Sequence, residues 1–197
     1  MSLAKHGITK GTPSNIPLGA GAWFKNLKWT EGTGWGGIVL GATSGGSSIK
    51  IVPEVLDVEV DGALALAKGL AVMQGGKGEA EVNFAEVNKD IFKMTMLGEV
   101  LPEDAENYVE GFDCIQTKSA IVEGDYVENL VFVGYTADQS KQIIAIYDYA
   151  LCKSGVQLDP KNKEAGVVKA TFTAYGDIDT DLDKIPVRVY YPKETTV

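Results

Sequence analysis

Histidine is nearly absent from this 197-residue chain: His6 is the single one, in what reads as a terminal arm. A serine or cysteine nucleophile in the body of the chain therefore lacks the imidazole that usually activates it. Cysteine is scarce as well. Cys114 and Cys152 are the only two, and neither belongs to a Cys-x-x-Cys pair. A Cys/His zinc site needs more clustered ligands than this chain offers. Reduced thiols are expected, with Cys152, beside Leu151 at the end of an apolar strand, acting as a small buried hydrophobe. No apolar run reaches the roughly 18 residues that a spanning helix needs, so no membrane anchoring is expected. Met1 to Gly11 carries Lys5 and Lys10 with no apolar run after them, which does not read as a signal peptide.

Phosphate-binding and calcium-binding signatures are missing too. No Gly-Lys-Ser/Thr motif occurs. Gly32, Gly34, Gly36 and Gly37 lie close together, but Ile38-Val39-Leu40 follows with a strand pattern, where a dinucleotide fingerprint opens a helix. Asp177, Asp179, Asp181 and Asp183 have the spacing that opens a calcium loop. Leu182 stands where such a loop requires Gly, and Arg188 stands where a bidentate Glu would close it. This segment reads as a charged connection between strands. Carboxylates are plentiful on wet strand faces, yet nothing singles out a pair for glycoside hydrolysis. The chain is expected to be no enzyme, with no catalytic, cofactor-binding or metal-ligating residue and no cofactor.

What the chain does have is apolar content and acid. Hydrophobic residues make up 45% of it, enough to exclude a disordered polymer, and 21.0 kDa suffices for one well-buried core. The formal net charge is -9, which disfavours binding to a phosphate backbone. The charge is uneven: Glu99 to Glu128 holds nine acids and one base, Lys118. That run is either a solvated face or a charged surface turned to a channel or partner.

Periodicity predicts a mainly β chain, a sandwich or barrel of antiparallel strands with one short flanking helix. Trp23 to Thr30 and Gly37 to Leu40 read as extended, with Gly32 to Gly37 as a bend and Gly41 to Ser48 as a loose loop. Leu56, Val58 and Val60 alternate with Asp57, Glu59 and Asp61, a half-buried strand that ends in the turn Asp61-Gly62. Gln74 to Gly78 reads as a second turn. Ala80, Val82 and Phe84 then alternate with Glu79, Glu81 and Asn83. Asn88 is a helix cap, Gly98 a helix stop, and Phe92 and Met96 the face to be buried. Glu99 to Val109 reads as a polar insertion. Phe112 to Val122 carries one strand, and Asn129 to Thr136 pairs with Gln142 to Leu151 about the turn at 137–141. Ile143 to Tyr147 is apolar on both faces, hence covered on both sides or used as an interface. Gly155 to Leu158, Val167 to Tyr175 and Pro186 to Tyr191 complete the set. The domain reading is an N-terminal arm over 1–22, one β domain over 23–191 with the insertion at 99–110, and a tail over 192–197. Pro13 and Pro17 keep the arm out of regular structure.

The order of these pieces resembles a known family. Val52-Pro53-Glu54 through Val60-Asp61-Gly62, then Gly75 to Phe84, Asn88 to Leu97 and Glu99 to Val109, look like the core segment of a bacteriophage tail tube protein. Val127-Glu128-Asn129-Leu130, Ile143 to Ala150, Ala165 to Ala174 and Asp179 to Tyr191 are similar to its later strands, so the resemblance spans roughly Trp23 to Tyr191. It implies hexameric rings built on a continuous inner β-barrel, stacked into a hollow tube through loops and the N-terminal arm. It implies other phage tail proteins as partners, transient and non-specific passage of DNA, and residence in the virion tail after assembly in the bacterial cytoplasm. A phage-derived particle without DNA fits the same reading. The alternatives are a head–tail connector or other virion ring protein. A carbohydrate-binding β-sandwich is a third, suggested by Trp23, Trp29, Trp35, Tyr147 and Tyr149.

Overall fold

A computed structural model describes residues 6–160, 162, 166–179 and 182–193. Among them are eleven strands and one α-helix. In chain order these are β1 (Pro17–Thr30), β2 (Gly34–Val39), β3 (Thr43–Asp57), β4 (Ala71–Phe84), α1 (Lys89–Met96), β5 (Gly98–Val100) and β6 (Ile115–Thr117). β7 (Val127–Thr136), β8 (Gln142–Cys152), β9 (Gln157–Leu158), β10 (Val168–Thr173) and β11 (Val187–Tyr190) follow. The fold is mainly β and antiparallel, as the alternation predicts.

Nine strands form one sheet along the path β2-β1-β7-β8-β10-β4-β3, with β11 beside β8 and β9 beside β10. β5 and β6 pair apart from it. The long sheet curls into a half-barrel, and β8 is the corner. Its first half, Ile144 to Tyr147, pairs with β11, and its last residues, Leu151 and Cys152, pair with β10. Between them Tyr149 has φ of 44°, a left-handed conformation that turns the strand from one half of the sheet into the other. β2 and β3 lie at opposite ends of the path yet are separated by residues 40–42 alone, so the chain itself draws the ends together. The Trp23 indole Nε1 donates to Ser47 Oγ at 2.9 Å across that seam.

The curl encloses the main core. Trp23, Tyr147, Phe84 and Phe172 are its largest fully buried side chains, with Ala80, Val82, Leu130, Val168 and Cys152 around them. Helix α1 closes one side. Asn88 caps it, its Oδ1 accepting from the Ile91 amide at 2.9 Å, and Asp90 sits in the first turn where the helix dipole favours an anion.

Several readings of the sequence are corrected here. The helix buries Ile91 and Thr95, not Phe92 and Met96, which are only half-buried. Its left-handed cap is Leu97 (φ 51°), and Gly98 already begins β5. The loose loop at 41–48 is largely strand: β3 starts at Thr43 and takes up a bulge at Gly45-Gly46, both at positive φ, held where Asn83 Nδ2 donates to the Gly46 carbonyl at 3.0 Å. The turn at Gln74 to Gly78 is strand within β4, and the bend at 32–37 shortens to 31–33 because β2 begins at Gly34. β1 begins at Pro17, inside the expected arm, and pairs there with β7. The ends of the arm and the tail, residues 1–5 and 194–197, lie outside the described residues.

Candidate assembly surface

The residues with chemical potential do not converge. Exposed His6 accepts through Nδ1 from the Ile8 amide at 3.3 Å, and Cys152 is buried in the core while Cys114 is half-buried. Asp177 accepts from the Asp179 amide at 3.0 Å and from the Tyr149 hydroxyl at 3.3 Å, an arrangement that caps a turn. Asp181 lies outside the described residues. Among the described residues no three His, Cys, Asp or Glu side chains gather as a metal would require.

Surfaces offer more. The most exposed is the β3–β4 hairpin. Its root reaches the core through Ala80, Val82 and Phe84 of β4, whereas β3 has no buried residue and is exposed on both faces from Ser48 outward, and Ala71 to Gln74 of β4 are exposed with it. Ile51, Val52, Val55, Leu56, Val72 and Met73 stand in solvent along this arm, and the tip continues with Val58, Val60, Leu64 and Leu66. The tip is an ordered set of turns: Ala63 N–H donates to the Val60 carbonyl about Asp61-Gly62, and Val58 N–H donates to the Leu70 carbonyl to close the loop. The alternation at 56–61 predicts a half-buried strand. β3 instead ends at Asp57, and among the described residues nothing covers the apolar side chains of the arm.

The root of the arm is clamped. Gly76 and Gly78 lie under the segment that leads into β11. A Cβ on Gly76 would stand 2.2 Å from Ile185 Cδ1, and one on Gly78 would stand 2.2 Å from Val187 Cγ2. Glycine is therefore required for this approach. Arg188 Nη2 meets Asp148 Oδ1 at 2.6 Å and fixes the strap to β8. That contact holds the guanidinium above its ordinary pKa, so it stays charged.

A second apolar cluster lies on the outer face of β7 and β8, made by Leu27, Val131, Val133, Ile144 and Ile146 with Phe24 and Trp35 against it. The cover is the far end of the β1–β2 hairpin. β1 follows β7 as far as Lys25. Asn26 then turns left-handed (φ 55°), and Asn129 satisfies the break, accepting from the Leu27 amide at 2.7 Å and donating to its carbonyl at 3.3 Å. Beyond the break Trp35 packs edge-on against Trp29 and Tyr190, with ring centroids 5.3 and 5.2 Å apart. Between this hairpin and β7–β8 an open groove of about 570 Å³ remains, lined by Ala22, Phe24, Trp35, Gly36, Val133 and Ile144 among others, none of them charged. The strand Ile143 to Tyr147 is thus covered on both sides, by the core and by this cluster.

Charge is distributed unevenly over the rest. The outward face of β4 carries Glu79 and Glu81, but Lys50 reaches Glu79 at 3.2 Å and Lys77 reaches Glu54 at 3.7 Å, so this face is balanced and not acidic. The acid excess lies in the lobe over residues 99–128. Asp113, Asp125 and Glu128 there meet Lys89, Lys118 and Lys28, while Glu99, Glu103, Asp104, Glu106, Glu110 and Glu123 are exposed. Beside it the Lys25 ammonium, 2.9 Å from Asp90, hydrogen-bonds and attracts that carboxylate and lowers its pKa.

Of the aromatics expected at a sugar-binding face, Trp23 and Tyr147 are fully buried, leaving Trp29 and Tyr149 exposed and Trp35 at the groove. The groove itself joins residues about a hundred positions apart. Its one local signal is the sequence Trp35-Gly36-Gly37, where a Cβ on Gly37 would stand 2.8 Å from Leu27 Cδ1, so the glycine lets β2 close over Leu27. No protein-family model matches the chain, and no curated protein matches it.

Proposed function

We propose that this chain is a structural virion subunit that assembles with copies of itself into hexameric rings, which stack into the hollow tube of a phage tail. The observation that carries the reading is the β3–β4 arm, fifteen and fourteen residues long, with apolar side chains exposed on both faces of its outer half. A monomer that stays a monomer rarely leaves such a surface bare. Among the described residues β3 is also an edge strand, paired in the sheet with β4 alone, and long exposed edges are normally capped, charged or paired with another chain. The curled sheet adds a geometric reason, since an open half-barrel gains edge partners by joining its neighbours in a closed ring. The order of motifs from Val52 to Tyr191 supports the same assignment. DNA would pass through the lumen without specific contacts, other tail proteins would start and end the tube, and subunits would await assembly in the host cytoplasm.

Native mass spectrometry over a concentration series, with electron micrographs of the concentrated protein, tests this. Six-fold rings and tubes of regular axial repeat are expected. A single ring that never stacks would move the assignment to a connector. A strict monomer under every condition, including contact with tail-tip components, would overturn the reading.

A further inference from the structure

We infer that Asn15, Lys141 and Tyr191 form a clasp that couples the N-terminal arm to the C-terminal end of the chain, so that a partner drawing on either end loosens the other. The inference goes beyond the assembly reading and does not depend on it. Three distant stretches of sequence meet here. The Lys141 ammonium donates to Asn15 Oδ1 at 2.8 Å and to the Tyr191 hydroxyl at 3.2 Å, and that hydroxyl donates to Asn15 Oδ1 at 3.2 Å. The post of the clasp is the β7–β8 turn. The Lys141 amide donates to Thr136 Oγ1 at 3.1 Å, and its carbonyl accepts from the Thr136 amide at 3.0 Å. Asp138, inside the turn, accepts from the Thr136 and Ser140 hydroxyls, each at 2.8 Å, which stiffens the turn from within. The part that can move is the arm. Asn15 grips it with the other end of the same amide, Nδ2 donating to the Gly11 carbonyl at 3.1 Å, where Ser14 Oγ also donates at 2.9 Å. Among the described residues, the hydrogen bonds of residues 6–14 otherwise stay within the arm, so Asn15 is the side chain that bonds the arm to the body. Tyr191 directly follows β11, and the rest of the C-terminal end comes after it. Both ends of the chain thus share one anchor, and a coupling through a shared contact acts equally in both directions.

Trypsin reads the arm. Lys10 is exposed, and cutting its bond to Gly11 requires the turn gripped by Asn15 to open. Tyr191→Phe removes the hydroxyl of the clasp and keeps the ring, and Asn15→Ala removes the grip itself. Each should speed release of the fragment that begins at Gly11 by about two- to tenfold, the scale of one exposed hydrogen bond. The double variant should be cut no faster than Asn15→Ala alone, because both changes act through one contact. Tyr135→Phe removes a nearby hydroxyl that bonds Gln142 and should leave the rate at the wild-type value. Hydrogen exchange reads the other end: Asn15→Ala should speed exchange of the amides at 189–191. Unchanged cleavage of Tyr191→Phe, a double variant whose effect is the product of the two single effects, or unchanged exchange at 189–191 would overturn the clasp. Every measurement is made on the free subunit, so these outcomes leave the assembly reading standing, and a subunit that never assembles leaves the clasp standing.

Discussion

At the scale of single residues, one buried side-chain polar atom has no partner among the described residues. Tyr147 is fully buried at the centre of the half-barrel, and its hydroxyl has no hydrogen-bond partner; the Lys50 backbone faces it without reaching bonding geometry. Burial disfavours the phenolate and pushes the pKa from 10.0 up to about 12. The sign follows from linkage. The folded state prefers the neutral phenol, so this contribution to stability is whole below pH 10 and is lost as the pH rises through about 12. An unpaired buried hydroxyl costs on the order of 1–3 kcal/mol of desolvation. Tyr147→Phe should therefore be as stable as the wild type at pH 8, or more so, and should lose less stability between pH 10 and 12. Urea melts at both ends of that range measure it. A loss of more than about 1 kcal/mol at pH 8 would mean the hydroxyl is bonded after all.

At the scale of elements, α1 shows what a pattern in the sequence can and cannot specify. Its start was legible, because Asn88 followed by an apolar run has a mechanical meaning at a helix N-terminus. Its buried face was not. Ile91/Thr95 and Phe92/Met96 are both i, i+4 pairs, rotated about 100° from each other, and only the position of the sheet selects between them. Thr95 satisfies its own hydroxyl by donating to the Ile91 carbonyl at 2.8 Å, which lets a polar residue face the core. Ile91→Ala should cost about 2–5 kcal/mol, the range for truncating a fully buried aliphatic side chain, and half-buried Phe92→Ala should cost less. Chemical denaturation of the pair checks the order, and the reverse order would mean the helix is rotated. The same limit explains the arm. Alternation at 80–84 found the core, since β10 packs beside β4 there, whereas alternation at 56–60 found residues able to be buried with nothing among the described residues to bury them. Strand pairing, the β7–β8 turn and the short helix were legible because local signals specify them. The groove was not, because Leu27 meets Asn129 and Trp35 meets Tyr190 only after the sheet has curled.

At the scale of the whole molecule, the net charge of -9 has a location. The sheet face with Glu79 and Glu81 is neutralised by Lys50 and Lys77, with Lys169 on the same face, whereas the lobe around residues 99–128 keeps its exposed acids. If the chain lines a DNA channel, the surface that repels phosphate is then this lobe, and the balanced sheet face contributes little. Four of its exposed acids, Glu103, Asp104, Glu106 and Glu110, can be replaced by lysine as a set. They lie away from the core, so each replacement should change stability by no more than about 0.5 kcal/mol. Wild-type particles should bind no DNA measurably at moderate salt. The lysine set should bind it, with an affinity that falls steeply as salt is added, because each phosphate contact releases counterions. In a phage carrying the set, tails should look normal in micrographs and genome ejection should slow. Glu79→Lys with Glu81→Lys provides the contrast, since it tips the balanced face positive. If that pair slows ejection and the lobe set does not, the sheet face lines the lumen and the lobe points outward. If neither slows it, the width of the channel governs passage and its charge does not.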